Sequence, residues 1–105
     1  MTRVYVTGLG VVSAIGMNVM ENINSLRSQK TGIDRNTLFT TKLNVPVGQV
    51  KYSNEKLCAL LDLQDKQGLS RTALLGILAA KEALEDASIG SGYKHIGLIS
   101  ATSVG

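Results

Sequence analysis

With 105 residues, 44% of them hydrophobic, the chain is long enough for one core and too short for two ordinary domains. Eleven basic and eight acidic residues give a formal charge of +3, but the basic ones are scattered and the stretch richest in lysine, residues 51–56, contains Glu55, which argues against a nucleic-acid partner. A lone Cys58 rules out an internal disulfide and fits a reducing compartment, and the opening Met1-Thr2-Arg3-Val4-Tyr5-Val6 is too short an apolar run for a signal peptide or a membrane span, so a cytoplasmic protein without membrane contact is expected.

Aromatic residues are 4% of the chain and there is no Trp, so the core must come from Val, Ile, Leu and Ala, as where helices cover a sheet. Residues 4–7 are β-rich, break into Gly8-Leu9-Gly10 and resume at Val11-Val12, which predicts a buried strand entering a glycine-shaped bend. Asn18 with Glu21 three residues on, and Val19, Ile23 and Leu26 along one side, predict a helix over 18–28 that ends near Thr31-Gly32. Residues 34–42 hold no period and read as a surface connection. Residues 45–50 have strand composition, restricted by Pro46 to an edge or a strand start. Ser53 or Asn54 then caps a short helix to Leu63, with Leu57, Leu60 and Leu61 as its apolar side.

Residues 70–88 carry the strongest pattern: Ala73, Leu74, Ile77, Leu78, Ala80, Leu84 and Ala87 make a broad apolar surface opposite Glu82, Glu85 and Asp86. A mostly buried helix is predicted, with Gly76 marking a flank in close contact with another element, where leucine would overpack. Residues 95–101 read as a second central strand running into Thr102, Ser103, Val104 and Gly105. The order suits a parallel sheet with helical crossovers, and a strand that runs into the final glycine suggests a chain that continues past residue 105.

The chemistry-bearing residues are few. Gly8-Leu9-Gly10 has the first two glycines of a dinucleotide-binding turn, but the third position is Ser13, and a structural bend is the better reading; no cofactor is expected. Cys58 lies between leucines inside a helix, where a half-buried, inert thiol is expected rather than a nucleophile. His95, the single histidine, stands at a strand start and reads as solvent-facing; with one Cys and no carboxylates at ligand spacing it makes no metal site. The terminal loop is made of small residues at the carboxyl end of a strand, where parallel α/β sheets place ligands.

Taken together, the segment 3–16, Asn24-Ser25-Leu26 through Lys30-Thr31-Gly32-Ile33, the helix from Ser70 through Ala87, and Ile96-Gly97-Leu98-Ile99 into the terminal loop resemble, in order, the start of the β-ketoacyl-acyl-carrier-protein synthases. Ala14 stands where that family often has proline, and Gln29 where it often has glycine. The resemblance implies a thiolase-like α/β fold, a mixed sheet covered by helices, with residues 1–105 forming the first portion of its first half. It also implies a homodimer that takes an acyl group from acyl carrier protein onto a cysteine and condenses it with a malonyl unit, with two histidines assisting, in fatty-acid or related polyketide synthesis. None of those catalytic residues matches a position here, so the resemblance implies that these residues alone are inactive. Thr102, Ser103, Val104 and Gly105 would border the acyl pocket, Val104 as its bulkiest side chain, while the segment before the long helix, which carries several basic residues in many carrier-protein-dependent members, departs from that pattern and offers only Lys66 and Arg71. A non-catalytic partner subunit of the chain-length-factor kind, and a free-standing interaction module, are the competing readings.

Overall fold

Three helices and one two-stranded antiparallel sheet make up the regular structure of residues 1–64 and 68–103, the residues described by this computed structural model. Every helix starts on a side chain that accepts from a backbone N–H three residues ahead, satisfying a donor the helix itself leaves unpaired. Asn18 caps α1 (Val19–Arg27) by accepting from the Glu21 N–H at 2.8 Å, and the Glu21 carboxylate reaches back to accept from the Met17 N–H at 2.7 Å. Ser53 caps α2 (Asn54–Leu60) and Ser70 caps α3 (Arg71–Asp86) through their hydroxyls, at 3.3 and 3.2 Å. These starts agree with the sequence reading.

The helix ends share a second device. In each, the residue after the C-cap turns left-handed: Gln29, Asp62 and Ser88 have φ of 54°, 53° and 56°. The following N–H reaches back to close the last turn, Lys30 to the Ser25 carbonyl at 2.9 Å, Leu63 to that of Cys58 at 2.9 Å and Ile89 to that of Leu84 at 3.0 Å. This is the Schellman arrangement, built here without glycine. Left-handed backbone costs a side-chain-bearing residue about 1–2 kcal/mol, part of which glycine returns as unfolded-state entropy. Gln29→Gly is therefore expected to raise stability by about 1 kcal/mol. Chemical denaturation checks it, with Gln29→Ala as the control that should give no such gain.

The sheet pairs β1 (Ile33–Arg35) with β2 (Pro46–Gly48), Asp34 opposite Val47 and Arg35 opposite Pro46. Pro46 opens its strand, as its missing donor requires. The two central strands expected at 4–7 and 95–101 are not formed, and the pairing present is antiparallel rather than parallel. Val4, Val6, Leu98 and Ile99 are 91%, 81%, 84% and 99% exposed. Such runs become strands only beside a hydrogen-bonding neighbour, and among the described residues no strand pairs with either segment.

The core lies between α2 and α3, where Leu57, Cys58 and Leu74 are buried and Met17, Tyr52, Leu61 and Leu78 pack around them. Contrary to the expectation for residues 70–88, α3 is not mostly buried: Leu74 is its buried residue among those described, and Ile77 and Leu84 are each 41% exposed. Its close contact also falls elsewhere than predicted. A side-chain carbon built on Gly76 would meet nothing within 4 Å, whereas one on Gly10 would overlap the Ala79 carbonyl and one on Gly8 that of Ala83. The amino-terminal segment thus lies directly on the alanine flank of α3, made possible by two glycines that bring no side chain between the backbones.

Carboxylates read from the sequence as lying opposite the apolar surface hold that segment down. The Leu9 N–H donates to Asp86 at 3.0 Å and the Val11 N–H to Glu82 at 2.9 Å, while the second oxygen of Glu82 accepts from the Val19 N–H at 2.8 Å. They supply the acceptors that a neighbouring strand would otherwise provide. The whole remains open: its surface of 8649 Å² compares with about 5,700 Å² for a compact monomer of 11.1 kDa. The radius of gyration of 16.0 Å likewise exceeds the roughly 13 Å of a closed domain of this length.

Candidate functional site

A groove of about 620 Å³ runs between α3 and the extended segment 98–102. Small residues on one side of the helix, Ala73, Gly76 and Ala80, leave the space, and Ile77, Leu98 and Ile99 make its walls apolar. The hydroxyl-bearing Ser70 and Thr72, at the start of α3, and Thr102 also line it. The volume lies within the range of small-molecule sites, and the lining suits an apolar chain rather than acid–base chemistry. Of the four terminal residues singled out in the sequence, Thr102 lines this groove and Ser103 is exposed, while Val104 and Gly105 lie outside the described residues.

Cys58 and His95 do not meet. Cys58 is buried at 7% exposure within the α2–α3 core, in the last turn of α2, where its carbonyl accepts from the Leu61 and Leu63 N–H groups. An activated thiol draws on the free N–H groups at a helix amino terminus, and Cys58 is at the opposite end of its helix. His95 is exposed, and neither residue lines the groove. Among the described residues, no three His, Cys, Asp or Glu side chains cluster as metal ligands would. Glu55, in the first turn of α2, has its carboxyl held below the usual carboxylate range, first by the hydrogen bond of its own backbone N–H and then by the Ser53 hydroxyl.

Arg71, one of the two basic residues noted in the sequence before and at the start of the long helix, is committed inside the molecule. Its guanidinium donates to the Asn54 side-chain oxygen at 2.9 Å and to the Val50 carbonyl at 2.8 Å, and lies over the Phe39 ring at 5.4 Å from the centroid. It ties the start of α3 to the start of α2, to the segment between β2 and α2 at Val50, and through Phe39 to the loop between β1 and β2. Lys66, its companion in that reading, lies outside the described residues.

One polar cluster was missed by pattern. On α1 the buried positions are Asn22 and Ser25, at 8% and 7% exposure, while Leu26, expected on the apolar side, is 68% exposed. Asn22 bonds with the Ser13 hydroxyl and donates its amide to the carbonyls of Asn18 at 2.7 Å and Gly16 at 3.1 Å; Ser25 donates to the Ile15 carbonyl at 2.6 Å. The tight turn closed by Ser13 and Gly16 is therefore fixed from the helix beneath it. Asn22 and Ser25, three apart and so on one face, were the available signal.

No family model matches the chain, and no solved structure does so significantly. Among curated proteins, it is 30% identical to the 3-oxoacyl-[acyl-carrier-protein] synthase 1 of Buchnera aphidicola subsp. Baizongia pistaciae and 30% identical to that of Escherichia coli strain K12. Both alignments cover 100% of this chain and 27% of the relative, so the chain spans about a quarter of the length of the proteins it matches.

Proposed function

We propose that this chain, a relative of the β-ketoacyl-acyl-carrier-protein synthases along its whole length, supplies non-catalytic framework to such an enzyme, whose reaction is decarboxylative condensation of an acyl group with malonyl-acyl carrier protein. The observation that carries this reading is the full-length match to two 3-oxoacyl-[acyl-carrier-protein] synthases. The residues fit a supporting role. The groove along α3, lined by Ile77, Leu98, Ile99 and Thr102, is assigned to the acyl chain, and Ser103, Val104 and Gly105 are assigned to the acyl pocket's border by the resemblance alone. A thiolase-like fold and assembly as a homodimer are part of the same proposal. So is acyl carrier protein as the acyl donor; Arg71, engaged internally, is not assigned to its docking.

Covalent acyl transfer needs an activated nucleophile with its base in reach, and Cys58, buried and at the wrong end of α2, offers neither. The chain alone, mixed with a radiolabelled acyl-carrier-protein thioester, is expected to acquire no label, and its cysteine to react slowly with iodoacetamide until denatured. Stoichiometric transfer of label to Cys58 would overturn the assignment of a supporting role. In the described residues no helix is long and apolar enough to cross a membrane.

A further inference from the structure

We draw no further inference here: the strongest candidate beyond the acyl-groove assignment, the exposed apolar run Val4–Val6 in the amino-terminal segment, has nothing in the structure to show what covers it.

Discussion

Leu74→Ala should destabilise the chain by about 2–5 kcal/mol, the largest effect expected of any single truncation here. Leu74 and Leu57 are the largest side chains that are fully buried, and each faces the other's helix across the α2–α3 contact. Removing three carbons from either leaves a cavity that helices pinned at their amino ends cannot readily collapse to fill, since α2 and α3 are capped by Ser53 and Ser70 and tied together there by Arg71. A core this small has little to spare: a domain's net stability is commonly about 5–15 kcal/mol, and a chain that leaves so much surface open belongs at the low end. Urea denaturation followed by circular dichroism is the check. Leu98→Ala, at a side chain 84% exposed, is the control and should change stability by less than about 0.5 kcal/mol. Equal losses at both positions would contradict the placement of the core.

The second large effect is a pair of glycine substitutions with opposite signs. At Gly10, even a methyl group overlaps the Ala79 carbonyl, and because the obstacle is helix backbone it cannot swing aside. Gly10→Ala is expected to cost about 3 kcal/mol by lifting the amino-terminal segment from α3. The local signature is faster exchange of the Leu9 and Val11 amides, whose carboxylate acceptors on Asp86 and Glu82 move out of reach. At Gly76 the space is open, so Gly76→Ala brings only the better helix propensity of alanine and should stabilise by about 1 kcal/mol. Loss of stability at Gly76 together with no effect at Gly10 would show that the flank predicted from the sequence, and not the one in the structure, makes the contact.

The contrast between those glycines shows what the sequence made legible. Helix starts depend on a residue and its third neighbour: Asn18 was read as a cap and Ser53 as one of two candidates with Asn54, while Ser70, read only as the start of its helix, caps α3 in the same way. Helix ends were less so, because the left-handed positions are occupied by Gln29, Asp62 and Ser88 rather than glycine. The frequent glycine of the resembling family at position 29 has its physical explanation in that same backbone angle. Segments 4–7 and 95–101 have strand composition, but composition does not supply a neighbour, and pairing is a property of the chain around a segment. The apolar surface of α3 was read correctly as a pattern and incorrectly as burial, since period reports which residues share a face and not what lies against it.

The same limit governs the site. Thr102 was singled out by its place after an apolar run and does line the groove, but the groove also depends on Gly76 and Ala80, more than twenty residues earlier in the chain. Glu82 and Asp86 were read only as lying opposite the apolar surface, because a carboxylate accepting backbone hydrogen bonds has the same sequence signature as one in water. Cys58, flanked by Leu57 and Ala59, was the opposite case: its neighbours indicated a half-buried thiol, and burial goes further, to 7% exposure.

The most direct test of a supporting role in a condensing enzyme is to replace the matching quarter of the Escherichia coli 3-oxoacyl-[acyl-carrier-protein] synthase 1 with these 105 residues and measure formation of 3-oxoacyl product from acyl- and malonyl-carrier-protein. If the chain supplies synthase framework, the chimera folds and condenses, and Cys58→Ser within it leaves the rate unchanged. A chimera that melts cooperatively yet forms no product, or one whose activity disappears with Cys58→Ser, would contradict the account.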